Sequence, residues 1–182
     1  MESKIAVIYK SKYGSTKRYA GWIALKLNAD LYEASDIGGR DLNEYSTIIY
    51  GGPLYIGKIK GINFINKNYE SIKDKSIILF MVGINNASEE YTQTILENNI
   101  DKDMRDNIKT FWFKGDLNYQ ELGFVDKILI KGLQKGIYSK DKRTLSEEDK
   151  LILKLCDEPI NLCDKKSIND LVSSISVENT KE

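Results

Sequence analysis

The hexapeptide Ile77-Ile78-Leu79-Phe80-Met81-Val82 is apolar at every position. A strand with one face in water alternates apolar and polar residues, so an unbroken run of this kind belongs to a strand covered on both faces, as in a parallel sheet between two layers of helices. Related runs occur at Ile5 to Tyr9 and Thr47 to Tyr50, and an aromatic, charge-flanked one at Lys109 to Lys114. Segments with helical spacing lie between them. Tyr19, Ile23 and Leu27 recur at four-residue steps in a helix expected from Thr16 to Leu27, and Ile62 to Tyr69 reads as a second. A third runs from Ser88 to about Asn98, with Glu89 and Glu90 in its first turn. Leu31 to Ala34 reads as an edge strand, and the polar, glycine-bearing stretch Ser35 to Leu42 as a loop. The alternation predicts a doubly wound α/β fold, a parallel sheet with helices on both faces.

Such sheets bind ligands beyond the carboxyl ends of their strands, and three loops at those ends carry unusual chemistry. Ser11-Lys12-Tyr13-Gly14-Ser15-Thr16-Lys17 joins the first strand to the first helix. Its hydroxyls and the free N–H groups of the first helical turn can converge on an anion, with Gly14 allowing close approach; ordinary N-capping is the alternative reading of the same residues. It is neither a P-loop nor the dinucleotide fingerprint, because the required glycines are missing. Gly51-Gly52-Pro53-Leu54-Tyr55-Ile56-Gly57-Lys58 reads as a second loop with three large apolar side chains. Apolar residues on a loop suit a ligand, although Leu54 and Ile56 could equally plug the loop into the core. Gly83-Ile84-Asn85-Asn86-Ala87-Ser88 is the third. Together they suit a phosphate at one end and a planar heterocycle at the other.

Composition narrows the chemistry. The chain has no histidine, which excludes His triads, His metal sites and imidazole acid–base catalysis, and two cysteines alone make a poor metal cage. No metal is therefore expected, and any chemistry must come from a cofactor. Lys plus Arg equal Asp plus Glu, so no global field favours nucleic acid or membrane, and any attraction must come from a local patch. The longest apolar run is far short of the ~20 residues that span a bilayer, which predicts a cytoplasmic protein with Cys156 and Cys163 as reduced thiols.

A single domain over residues 1–182 is expected, with an extension at about 115–163 and a disordered tail at about 178–182. Within the extension, Phe124 to Tyr138 reads as an amphipathic helix with Val125, Ile128, Leu129, Leu133 and Ile137 on one side and Lys127, Lys131 and Lys135 in a stripe opposite. It reads either as an element lying on a membrane surface or as a cover with solvated lysines. A further helix opens at Ser146-Glu147-Glu148, and the closing helix is expected from Ser167 to about Val177.

The pattern S-x-Y-G-S-T at Ser11 to Thr16, the stretch G-G-P-L-Y-I-G-K at Gly51 to Lys58 and the order of elements resemble the flavodoxin superfamily. The extension, with Gly115-Asp116-Leu117 after the last strand, is similar to the branch that contains the menaquinone-dependent protoporphyrinogen oxidases. This resemblance implies a flavodoxin-like sheet of five strands in the order 2-1-3-4-5 and FMN as cofactor. It implies that Ser11, Lys12, Tyr13, Gly14, Ser15 and Thr16 hold the FMN phosphate. Pro53, Leu54, Tyr55, Ile56, Gly57 and Lys58 would form one wall of the ring site, and Gly83, Ile84 and Asn85 the other. It further implies either a quinone-coupled oxidoreductase acting on a tetrapyrrole or an electron carrier for a redox protein partner. The membrane-surface reading of the amphipathic helix, beside its reading as a cover, puts peripheral membrane contact at Lys127, Lys131 and Lys135. The fold alone also admits a module without redox chemistry. Lys58 and Lys60 beside the ring loop depart from the acidic surroundings typical of the carriers.

Overall fold

A computed structural model of the chain describes residues 4–84 and 88–178. The elements run β1 (Ile5–Tyr9), α1 (Ser15–Leu27), β2 (Asp30–Glu33), β3 (Thr47–Tyr55), β4 (Lys58–Ile59), α2 (Asn63–Ile72), β5 (Ser76–Gly83) and α3 (Glu89–Asn99). They continue with α4 (Lys102–Arg105), β6 (Ile108–Lys114), α5 (Phe124–Tyr138), α6 (Glu147–Lys154) and α7 (Asn169–Glu178). The five long strands pair in parallel in the order β2-β1-β3-β5-β6, the doubly wound arrangement expected from the sequence. A 3-10 turn at Gly39–Glu44 begins within the segment read as a loop and runs two residues past it.

The unbroken apolar strands fill two cores, because successive side chains point to opposite faces of the sheet. On one face Ile8, Ile48, Tyr50, Leu79 and Met81 pack with Ile65 and Ile72 of α2 and Ile95 of α3. On the other, Val7, Ile49, Ile78, Phe80 and Val82 pack with Tyr19, Ala20 and Ile23 of α1 and Leu171 and Ile175 of α7. A third, smaller core joins Leu122, Ile130, Leu155 and Ile160 of the extension to Tyr13 and Leu117. Cys156 and Cys163 are both free thiols.

Several boundaries differ from the sequence reading for identifiable reasons. The segment read as a loop at Gly51 to Lys58 is a hairpin: β3 continues to Tyr55, and Leu54 pairs with Ile59 and Tyr55 with Lys58 in antiparallel register. Glycine and proline disguise the strand. The two turn residues, Ile56 and Gly57, both take positive φ, 50° and 71°, as a two-residue hairpin loop that follows the sheet twist requires. In α5 the inward residues are Asp126, Ile130, Gln134 and Ile137, whereas Val125 and Ile128, expected on the packed side, are exposed. Polar contacts set that rotation, since Asp126 is hydrogen-bonded inside the protein and Gln134 Nε2 donates to the Ile152 carbonyl at 2.8 Å. The closing helix begins at Asn169 after a 3-10 turn at Lys165–Ile168, which Asp164 caps through the Lys166 N–H. Of the expected tail, Glu178 ends α7 and residues 179–182 lie outside the described residues.

Gly51 stands opposite Phe80 in the β3–β5 ladder. A Cβ at this position would lie 1.9 Å from Phe80 Cζ, and the Phe80 ring is fully buried. Gly51→Ala is therefore expected to destabilise the protein by about 1–3 kcal/mol through overpacking. Urea denaturation of the variant beside the parent checks this, and an unchanged midpoint would show that the ring relocates freely.

Candidate functional site

α1 begins without a side-chain cap. Gly14, at φ 92°, turns the chain into the helix and leaves the first-turn N–H groups of Ser15, Thr16 and Lys17 directed outward from the helix start. Ser15 and Thr16 are buried. Ser11 Oγ accepts from Gly14 N–H at 3.1 Å, which closes the loop and leaves the hydroxyl proton available. The Ser15 hydroxyl is already engaged: it accepts from Asp116 N–H at 3.0 Å and donates to the Asp116 carbonyl. Among the described residues the Thr16 hydroxyl has no protein partner. An uncapped helix start with a free hydroxyl, polarised by the helix dipole, has the chemistry to accept an anion.

The loop opens into a cavity of about 370 Å³. Ser11, Lys12, Tyr13, Ser15 and Thr16 line it at one side, the hairpin and the turn after it contribute Pro53, Leu54, Tyr55, Ile56, Gly57 and Lys60, and Gly83 at the end of β5 is joined by Ile84 just after it. Three loops far apart in sequence thus meet at the carboxyl ends of β1, β3 and β5, as the fold requires. Tyr91 of α3 and Trp112 of β6 add aromatic surface. Gly14 stays off the wall and acts through its backbone turn. Lys58, expected beside the ring site, faces away: its ammonium donates to the Asn98 carbonyl at 2.7 Å. Lys60 takes the place expected of it, with Nζ 4.7 Å from the Tyr55 ring centroid, while Lys12 Nζ lies 4.5 Å from the same centroid. Asn85 lies outside the described residues.

The remaining wall comes from the extension. Leu117, Leu122, Leu129, Ile130, Leu133 and Ile152 supply aliphatic surface and Asp126 a carboxylate. Asp126 is only 5 % exposed. Its Oδ1 accepts from the Tyr55 hydroxyl at 2.5 Å, while Oδ2 accepts from the Tyr13 hydroxyl and meets the Lys12 ammonium at 2.5 Å. Burial alone would raise the carboxyl pKa, but the hydrogen bonds from Lys12, Tyr13 and Tyr55 outweigh it and hold the group at about 2. The same hydrogen bond, followed by burial, pushes the Tyr55 phenol above its ordinary value. One carboxylate thereby fastens the extension to both the first loop and the hairpin.

A second carboxylate closes the base of the extension. Asp116 Oδ1 accepts from the N–H groups of Leu162 and Cys163 at 2.7 and 2.8 Å, and Oδ2 pairs with Arg18 of α1. Tyr19 adds a tie, donating to the Lys114 carbonyl at 2.8 Å and accepting from Asp164 N–H at 3.0 Å. Sequence reasoning missed the roles of Asp126 and Asp116, and named Lys60 only as a charge beside the ring loop. Asp126 did leave a trace: it is an acid four residues before Ile130, on the side of α5 that packs inward.

The Asp126 carboxyl, lowered in the folded protein from an ordinary value near 3.9, contributes stability that is fully present above about pH 4 and is lost as pH falls toward 2. Asp126→Asn is expected to cost on the order of 3 kcal/mol at neutral pH, because Lys12 loses its buried partner. It should also flatten the acid limb of the stability profile. Urea midpoints measured from neutral to strongly acidic pH check both, and a variant with the parent's full acid dependence would place the responsible group elsewhere.

The sequence profile of the Flavodoxin domain family matches residues 6–144, well over half of the chain. No curated protein matches the sequence. Among solved structures, a flavodoxin from the domain Archaea is 18% identical, covering 61% of this chain and 84% of that one with a TM-score of 0.41. The oxidised flavodoxin 2 of Bacillus cereus is 18% identical over 60% of this chain and 84% of its own, with a TM-score of 0.39. The Trp repressor binding protein of Bacillus subtilis is 17% identical over 62% and 85%, with a TM-score of 0.47. With its parallel sheet in the order β2-β1-β3-β5-β6 and a profile match over residues 6–144, the chain belongs to the Flavodoxin domain family.

Proposed function

We propose that the chain binds FMN in this cavity and is a redox flavoprotein that passes reducing equivalents from an organic donor to a quinone. The residues fit the cofactor. The uncapped start of α1, with the Thr16 hydroxyl and the Ser11 proton, suits the phosphate, while Leu54, Tyr55 and Ile56 on one side and Gly83 and Ile84 on the other suit the ring. When bound, FMN supplies one- and two-electron chemistry that side chains lack, and the protein supplies position and electrostatics. Asp126 holds the Tyr55 ring in orientation through its hydroxyl. Lys12 and Lys60 put positive charge beside that ring, a role that Lys58 cannot fill from its place on the Asn98 carbonyl.

The observation that carries the reading is the shared wall: aliphatic residues of the extension line the same cavity as the first loop and the hairpin. A cavity that is mostly apolar around a few placed polar groups suits a small organic ligand. A quinone taking two electrons and two protons from such a site becomes a hydroquinone, and the donor loses the same two of each. A tetrapyrrole of the protoporphyrinogen type is the donor to test first. An electron carrier for a protein partner is the second reading, favoured by Ile56, which is 69% exposed on the hairpin turn at the cavity rim.

Anaerobic turnover of FMN-loaded protein with protoporphyrinogen and a menaquinone analogue, beside its reduction by a flavodoxin reductase, separates the readings. Quinone-dependent oxidation is expected, and reduction by the reductase alone would favour the carrier. Thr16→Ala is expected to weaken FMN binding by about 1.5–3 kcal/mol, the cost of a lost hydrogen bond to a charged group, and to leave riboflavin binding nearly unchanged. Titration calorimetry with both ligands tests this, and equal losses would take the phosphate away from Thr16.

A further inference from the structure

Eight large apolar side chains are exposed among the described residues, and five of them, Phe124, Val125, Ile128, Leu133 and Tyr138, stand on α5. Phe124 is 79% exposed, Val125 70%, Ile128 55% and Tyr138 72%. The positions form a row. Phe124, Ile128, Lys131, Lys135 and Tyr138 follow one another at alternating four- and three-residue steps, the spacing that stacks side chains along one face of a helix. Gly132 and Gly136 lie beside this row and keep its flank low. Lys127, read from the sequence as part of the basic stripe, belongs elsewhere: it donates to the Gln120 carbonyl and lies over the Tyr119 ring. Asp126 is the sole acid in α5, and it points inward.

We propose that this outer row of α5 docks on an anionic lipid surface. Charge complementarity favours that occupant, because the exposed face carries lysines and no acid. The pattern also distinguishes lipid from protein. Protein interfaces concentrate apolar residues in a core within a polar rim, whereas here two lysines sit between apolar residues in a single row, Phe124 and Ile128 on one side and Tyr138 on the other. A headgroup layer accepts both at different depths: Phe124, Val125 and Ile128 enter the acyl boundary while the ammonium groups of Lys131 and Lys135 reach the phosphates. Fifteen residues make a helix of roughly 22 Å at 1.5 Å per residue, long enough to lie along the surface. No helix among the described residues is long and apolar enough to cross a membrane, so the contact is peripheral. Leu133 belongs to both surfaces, 46% exposed on α5 and part of the cavity wall. On the reading of a quinone acceptor, a lipid-soluble ring can pass from the bilayer to the cavity along this helix without crossing bulk water.

The test is co-sedimentation of the full chain, incubated with FMN, with vesicles of phosphatidylcholine plus phosphatidylglycerol and with vesicles of phosphatidylcholine alone. The parent is expected to bind the anionic vesicles at low salt and to release from them at high salt. Lys131→Gln/Lys135→Gln and Val125→Ser/Ile128→Ser, all at exposed positions, are each expected to weaken that binding about tenfold or more. A parent that ignores anionic vesicles, or variants that bind them as well as the parent, overturns the proposal. A parent that instead sediments as a dimer dissociated by Val125→Ser/Ile128→Ser assigns the row to a second copy and also overturns it. FMN affinity, followed by flavin fluorescence in the same samples, should be equal in parent and variants because these side chains lie outside the cavity. Failure of the parent to bind FMN would sink the function proposed above and leave the vesicle result standing.

Discussion

Asp126 is a charge taken out of water, and the need to compensate it dictates what stands around it. A buried carboxylate with one weak partner would take up a proton or drag its helix back to the surface. Three donors prevent this, and none of them belongs to the extension: Tyr13 and Lys12 come from the loop after β1, and Tyr55 from the β3–β4 hairpin. The cluster therefore orients three elements at once. It turns α5 so that Ile130 and Leu133 face the cavity, it brings the Tyr55 hydroxyl toward the extension, and it draws Lys12 over the Tyr55 ring.

The chemistry available at this site follows from what the chain lacks as much as from what it holds. Without histidine, no side chain has an ordinary pKa near neutrality except through perturbation, and here the perturbations run the other way, with Asp126 pushed further down and Tyr55 further up. These groups keep their charge states across the physiological range. They are suited to hold and orient a ligand in a constant field, and the reactive steps fall to the cofactor proposed for the cavity.

The sheet was legible in the sequence because its strands are buried on both faces, and that constraint writes itself as unbroken apolar runs such as Ile77 to Val82. The start of α1 was legible too, since a glycine between hydroxyl residues at a strand-to-helix junction is a local feature. The hairpin was not, because Gly51, Gly52 and Pro53 look like a loop to any propensity argument, and only the Phe80 ring lying over Gly51 explains why a strand there needs a residue without a side chain. The rotation of α5 escaped for a different reason. Its hydrophobic periodicity admits more than one inward face, and the choice depends on partners such as Tyr13, 113 residues away in the chain.

The extension leaves and rejoins the sheet region at nearly one point. Leu117 and Ile160 pair in an isolated antiparallel bridge, each N–H donating to the other's carbonyl at 2.8 Å, and Asp116 accepts from the nearby amides of Leu162 and Cys163. A segment with adjoining ends behaves as an insert: its length can change without moving the strand before it or the helix after it, because the path between Asp116 and Cys163 is already closed by the bridge. Descent with modification can then act on residues 118–159 as a module, lengthening, exchanging or deleting them while β6 and α7 stay docked. The sheet and its three loops act as a chassis, and the segment pinned between Leu117 and Ile160 is a part whose contents can be exchanged without rebuilding it.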